Sequence, residues 1–333
     1  MRIVYYAHHH GSGHLRHARR LQRLGVAEVV IAGGPGADVV LPPDVDPAQA
    51  HTESAGSPFH WTPTTRTVRD RFSQWHRVLD EVSPDLVMVD VSVEAAVFVH
   101  LAGYPVLHRR MPGDRDDAAH RLAYATARRL FAYYPQRLEA PGFAWQDRTS
   151  WLGMVAEGHP LDASAIEPAT VVVLSGAGGD GVPSEGLALA AASTPRRTWH
   201  VLGPRLPSVG APLPANVVHH GWVDDPTPWL ARAEVVVCGA GHNTIATVAA
   251  SGRPLVLAPE PRPHDEQLRF AEHLGHCFGV PVVTSWADAD WASLLAHPGD
   301  GRAMAHGLLS TTEEFRAAVV QLLRDAISEA PGA

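Results

Sequence analysis

The stretch AHHHGSGHLRHARRL, residues 7–21, sets five histidines within ten positions: His8, His9, His10, His14 and His17. Imidazole titrates near neutrality, so such a cluster can move protons or ligate a metal. A metal site would want carboxylates or further ligands at defined spacing, and none stands nearby, so none is expected. His8, His9 and His10 read as structural. His14 is the candidate for chemistry. It follows Gly11, Ser12 and Gly13, which permit a tight turn and a helix cap, and it falls in the first turn of an expected helix. There the positive end of the helix dipole disfavours imidazolium, which suits a neutral general base.

Two other glycine loops offer backbone N–H groups to an anion. SGAGG (175–179) carries Gly176 and Gly178, a weak signal that a plain turn would also give. CGAGHNT (238–244) is more specific. A buried strand enters Gly239 and Gly241, and a helix starts near His242, Asn243 or Thr244 and stops at Gly252 with Pro254 just beyond. The N-terminus of that helix is a seat for phosphate. Further on, PEPRPHDEQ places Asp265, Glu266 and Gln267 at another helix start, where they can bond several hydroxyls at once, although Asp265 could equally be a plain N-cap. Asp90, ending DLVMVD, is a candidate partner for His14 or a cap for the next helix.

The elements needed to position these loops are legible as short apolar runs alternating with helical stretches. RIVYYA, AEVVIA, DLVMVD and PVLH are expected strands of the first half. TVVVLS, TWHVLG, NVVHH, EVVVCG, PLVLAP and VPVV are those of the second. Strands separated by helices imply an α/β protein with two doubly wound, Rossmann-like parallel sheets facing across a cleft, ligands sitting at the carboxyl ends of the strands. The expected organisation is an N-terminal domain over 1–152, a linker over 153–168, a second domain over 169–310, and a C-terminal helix and tail over 311–333, with a cap at Thr311 or Thr312. Residues 41–64, rich in Pro, Thr and His, read as a loop.

Composition removes several classes. The 333 residues carry 27 basic side chains, every one an arginine. Without lysine there is no Walker-type phosphate loop, no kinase lysine and no Schiff base. The Gly-x-Ser-x-Gly elbow of serine hydrolases is missing. The dinucleotide fingerprint fails because Arg16 and Thr244 stand at the third glycine position. A net charge of −8 argues against nucleic acid as a partner. Cys238 and Cys277 make no disulfide framework, and with neither a signal peptide nor a long apolar run the expected location is the cytoplasm. The arginines of RTVRDRFSQWHR (66–77) fit a solvated helix face better than a lipid surface.

Taken together the loops resemble a glycosyltransferase of the GT-B fold, near the peptidoglycan N-acetylglucosaminyltransferase and UDP-glycosyltransferase groups, most strongly over residues 221–275. The resemblance implies a C-terminal domain that binds a nucleotide-sugar without a metal or cofactor. Gly241, His242, Asn243 and Thr244 would hold the diphosphate, Trp222 and Val223 would lie by the base, and Glu266 and Gln267 would contact the sugar. His14 would deprotonate or orient a hydroxyl-bearing small-molecule acceptor. Where family members usually carry a ribose-binding glutamate, Thr247 stands, which leaves room for dTDP beside UDP. The GSGHLRHA segment also resembles the UDP-sugar hydrolase of pseudaminic acid synthesis, in which water is the acceptor. A nucleotide-sugar sensor without turnover is the non-enzymatic alternative.

Overall fold

The computed structural model describes residues 1–8, 13–43, 59, 66–156, 161–176, 181–203 and 213–328. His9, His10, Gly11, Ser12 and Gly178, together with most of the expected loop at 41–64, lie outside these residues. Two sheets are formed, and every strand pair in both is parallel. The first contains β1 (Arg2–Ala7), β2 (Glu28–Gly33), β3 (Val39–Val40), β4 (Leu86–Val89), β5 (Val106–Arg109), β6 (Arg129–Ala132) and β7 (Thr149–Trp151), in the order β3-β2-β1-β4-β5-β6-β7. The second contains β8 (Thr170–Leu174), β9 (Thr198–Leu202), β10 (Val217–Gly221), β11 (Val235–Cys238) and β12 (Leu255–Leu257), in the order β10-β9-β8-β11-β12. Each order reverses beside the first strand of its sheet, between β1 and β4 and between β8 and β11. Those are the switch points where a parallel sheet opens a crevice at its carboxyl edge.

Helices cover both faces of each sheet. The central strands are therefore apolar throughout: Ile3 to Ala7, Leu86 to Val89 and Val235 to Cys238 are all buried. Helix α1 (Gly13–Arg23) buries His17, Ala18 and Leu21 and sets Arg20 and Arg23 against the negative end of its dipole. Helix α2 (Arg66–Val82) turns Arg71 inward to the Tyr6 hydroxyl and the Pro42 carbonyl, so that one arginine of this segment is part of the interior. Helix α3 (Val93–Leu101) is capped by Ser92, whose hydroxyl accepts from Ala95 N–H. Asp90 is thereby freed from that duty.

The chain crosses to the second sheet between Trp151 and Thr170. After α4 (Ala118–Thr126), α5 (Ser184–Ser193) and α6 (Thr227–Arg232), helix α7 (His242–Ser251) starts from an extended Gly241 and ends at Gly252, which is left-handed at φ 66°. Helix α8 (Glu266–Phe278) follows β12, and the short helices α9 (Trp291–Ala296) and α10 (Gly301–Leu308) come after it. The segment VPVV expected as a strand contributes only a bridge from Val282 to Leu257. The last helix, α11 (Thr312–Ser328), begins with a reciprocal cap. Thr311 Oγ1 accepts from Glu314 N–H at 3.1 Å, and the Glu314 carboxylate accepts from Thr311 N–H at 2.8 Å. It returns to the first sheet and packs Phe315, Val319, Leu322, Leu323 and Ala326 among Ile3, Tyr5, Leu21 and Leu107. Among the described residues no helix is long and apolar enough to cross a membrane.

Candidate active site

Four adjacent strands of the first sheet deliver side chains to one point at their carboxyl edge. Tyr5 comes from β1, Asp90 follows β4, Arg109 ends β5, and Tyr133 follows β6. His14, in the first turn of α1, sits above them with its side chain 16% exposed, and its Nδ1 lies 3.0 Å from Asp90 Oδ2. Asp90 is fully buried. The Tyr5 hydroxyl donates to its Oδ2 at 3.1 Å, and Arg109 Nη1 donates to both oxygens at 2.9 and 3.1 Å. Burial alone would raise the Asp90 carboxyl, but the Arg109 guanidinium and His14 pull it well below the usual carboxylate range. Asp90 is therefore an anion at neutral pH. It fixes the His14 proton on Nδ1 and leaves Nε2 as the free base. Arg109 Nη1 also lies 3.4 Å from that Nδ1, but the carboxylate is nearer and is the acceptor.

Around this dyad the rings are uncharged. His17 stacks on Tyr133 at 4.3 Å and 7°, and burial followed by the Arg109 charge holds its pKa well below normal. His242 meets the His17 ring edge at 4.8 Å. His242 Nε2–H donates to the Tyr133 carbonyl at 2.5 Å, and burial, with Arg109, lowers its pKa to about 3. Its Nδ1 is a buried lone pair with no partner among the described residues. The imidazole of His242 is thus spent on the contact between domains, and only its backbone N–H remains to face an anion.

The second sheet brings its own loops to the same crevice. Gly176 follows β8 and Gly239 and Gly241 follow β11. Thr244 Oγ1 lies 3.8 Å from where a Gly176 Cβ would be and 3.7 Å from that of Gly241. Thr247, one turn later, shares the helix face of Thr244 and is half-buried. Asn243 touches the first domain directly, its Nδ2 being 2.7 Å from a Cβ built on Gly13. The start of α1, carrying His14, and the start of α7 are therefore in contact across the crevice. Gln267 is buried, and its Oε1 accepts from Ala240 N–H at 3.1 Å and Glu260 N–H at 3.0 Å. It ties two loops together, which leaves only its amide NH2 for a ligand. Asp265 makes no side-chain cap and takes a left-handed φ of 50° directly after His264 at 59°. Two successive non-glycine residues in that region store strain, a feature that concentrates at binding sites. Glu266 pairs with Arg115 of the first domain at 2.7 Å. Trp222 is 54% exposed with its indole N–H on Asp224, while Val223 packs against the second core.

Arg109, Tyr5, Tyr133 and Glu260 were not singled out by the sequence. Glu260 lies beside Gly239, accepts from the Ser175 hydroxyl at 3.1 Å and pairs with Arg262 at 3.1 Å. The available signal was position alone, since each stands at or just after the end of a parallel strand, apart from Tyr5 within β1.

Residues 207–297 match the glycosyltransferase family 28 C-terminal domain. A segment of 92 residues is 37% identical to the UDP-N-acetylglucosamine–N-acetylmuramyl-(pentapeptide) pyrophosphoryl-undecaprenol N-acetylglucosamine transferase of Azotobacter vinelandii. That match spans about a quarter of each protein, 25% of this chain and 26% of the relative. The whole chain superposes on the glycotransferase of kitacinnamycin with a TM-score of 0.62 at 17% identity, covering 98% of this chain and 99% of that one. The spinosyn rhamnosyltransferase SpnG, solved with thymidine diphosphate, gives 0.58 at 18% identity over 98% and 96%. The fold is GT-B. The first sheet, with α11 packed on it, is the N-terminal half of the fold, and the family 28 match falls on the half that carries α7 and α8.

Proposed function

We propose that this GT-B protein is a metal-independent glycosyltransferase that moves a sugar from a UDP- or dTDP-sugar to a hydroxyl of a small-molecule acceptor. One observation carries the reading: the His14–Asp90 dyad and the α7 N-terminus, from opposite domains, meet across the crevice through Gly13 and Asn243. His14 Nε2 takes the acceptor proton as the acceptor oxygen bonds to the anomeric carbon. The bond from that carbon to the phosphate oxygen breaks, and its electron pair leaves with the nucleoside diphosphate. The N–H groups of His242, Asn243 and Thr244, in the first turn of the helix, with the dipole of α7, stabilise the departing charge, work that preorganised donors do best away from water. No metal or cofactor is needed for either half of that description.

On this reading residues 1–152 are the acceptor side and 169–310 the donor side. Gly176, Gly239, Gly241 and Thr244 border the diphosphate, Thr247 the ribose, and Trp222 and Val223 the base. Asp265, Glu266 and Gln267 border the sugar. Thr247 offers one hydroxyl in place of a carboxylate, which favours a deoxyribose donor, and SpnG was solved with thymidine diphosphate. Neither water as acceptor nor binding without turnover gains a specific observation. Calorimetric titration with UDP, dTDP, GDP and ADP, each with magnesium and with EDTA, tests the donor site. Binding of UDP or dTDP that survives EDTA is expected; no binding by any of the four contradicts it.

A further inference from the structure

Away from His14, the loop between β5 and helix α4 (Ala118–Thr126) makes a second bridge between the domains. Gly113, at φ 103°, lies so close to the start of α8 that a Cβ there would meet the His264 carbonyl oxygen at 2.6 Å and Glu266 Cα at 3.0 Å. Asp114 N–H donates to that same carbonyl at 3.0 Å, and its carboxylate pairs with Arg269 at 3.1 Å. Between these contacts Arg115 Nη2 reaches Glu266 Oε2 at 2.7 Å, with the two side chains 8% and 30% exposed. The rest of the guanidinium is also fixed. Nε donates to the Pro112 carbonyl at 3.2 Å and Nη1 to His120 Nε2 at 3.2 Å. His120 in turn donates from Nδ1 to Asp117 at 2.5 Å, and the other oxygen of Asp117 caps α4.

Asp117, His120 and His264 bring possible ligand atoms within 4.8 Å of one another, the spacing of a metal seat. Charge and tautomer decide against one. Coordination through His120 Nδ1 would leave its proton on Nε2, aimed at an Arg115 N–H, and would set a dication beside a guanidinium. As it stands, both His120 nitrogens are engaged, and the chain of bonds from Asp117 through His120 serves to orient Arg115.

We propose that Arg115 is a positioning residue for the donor's sugar: acting from the opposite domain, it fixes the Glu266 carboxylate by one oxygen and leaves Oε1 to accept from a sugar hydroxyl. This rests on the donor-site reading above. A free glutamate must surrender rotamer freedom when it binds, whereas one already held has that loss behind it. The left-handed pair His264 and Asp265 turns the backbone into this position, and the Asp114 N–H holds it there. Sugar recognition then depends on both domains, while the nucleotide contacts named above belong to the C-terminal domain.

The test compares the affinity of the tightest-binding member of a panel of UDP- and dTDP-hexoses with that of its bare nucleotide. In Arg115→Met the sugar nucleotide should weaken roughly tenfold while the nucleotide stays within about twofold. Asp114→Asn, which cuts the neighbouring bridge without touching Glu266, should leave both within about twofold. Equal weakening of both ligands in Arg115→Met, no weakening of either, or the same shift from Asp114→Asn would overturn the assignment. If Arg115→Met does not fold, Arg115→Lys keeps the charge but not the fork, and an unchanged ratio there is equally contrary. A wild-type protein that binds no nucleotide sinks the donor-site reading itself, and this assignment with it, by a separate observation.

Discussion

Asp90 serves three neighbours with two oxygens: it receives the Tyr5 hydroxyl, the Arg109 guanidinium and the His14 Nδ1–H. Since the His14 Nδ1–H is held by the carboxylate, the effect of Asp90 on His14 is to fix its tautomer. Asp90→Asn leaves the Arg109 guanidinium buried without a counter-charge, and should destabilise the fold by roughly 3–5 kcal/mol at pH 7. The sign with pH follows from a folded pKa below the unfolded one. The stabilisation is present above about pH 4 and lost as pH falls further, so the gap between wild type and variant should close in acid. Urea midpoints at pH 7 and pH 3 check this; a gap that persists unchanged at pH 3 contradicts it. His14 and Asp90 were legible because a glycine turn and a strand end point to a crevice without further information. Arg109 was not. In HRR nothing marks Arg109 from Arg110, and only strand alternation sends the first to Asp90 and the second to Glu139 at 2.7 Å.

At the scale of elements, the site is made by two helix starts, α1 and α7. The glycines, the strand before them and the stop at Gly252 made α7 readable, and its first residue, His242, is one of the three starts that the sequence left open. Strands β6 and β7 were not anticipated. ARRLFAYY continues a helical pattern from the preceding residues, and TSW is too short to show alternation, so both depend on pairing with β5 and with each other. That is why Tyr133, which links His17 to His242, could not be found in advance. VPVV has the apolar run of a strand but only one bridge, because Pro281 removes a donor from any ladder. The anion seat can be tested at its first N–H. Gly241 has ψ 135°, the conformation a following proline requires, and His242 is the first helical residue, where proline is tolerated. His242→Pro should bind UDP or dTDP about tenfold or more weakly than His242→Ala, since only the former lacks the N–H. Equal affinities by calorimetry would remove that N–H from the seat.

Across the whole molecule, domain contact combines the uncharged buried rings beside the site with the ion pairs that Asp114 and Arg115 make to α8. His242 bridges the domains, and His108 lies behind the site with no partner for its Nδ1 among the described residues; burial lowers both to about 3, helped by Arg109 in the first case and His120 in the second. Unfolded imidazoles protonate below about pH 6.5, so stability is fully present above that and falls with pH toward the folded values, by roughly 2 kcal/mol per group at pH 5. His108→Leu should therefore gain stability over wild type at pH 5 relative to pH 7, and an unchanged pH slope in urea titrations would contradict it. Two sheets with a crevice were readable from alternating strands and helices. The return of α11 to the first sheet was not, since an amphipathic helix does not name the face that it covers. Under the proposed function, His14 does chemistry at a donor site it does not itself build. The most direct measurement is nucleoside diphosphate release from a UDP- or dTDP-sugar, with a panel of hydroxyl-bearing acceptors, by wild type and His14→Ala, alongside nucleotide affinity. A loss of turnover of roughly 100-fold to 10,000-fold with affinity within about twofold is expected. Full turnover in His14→Ala would contradict it.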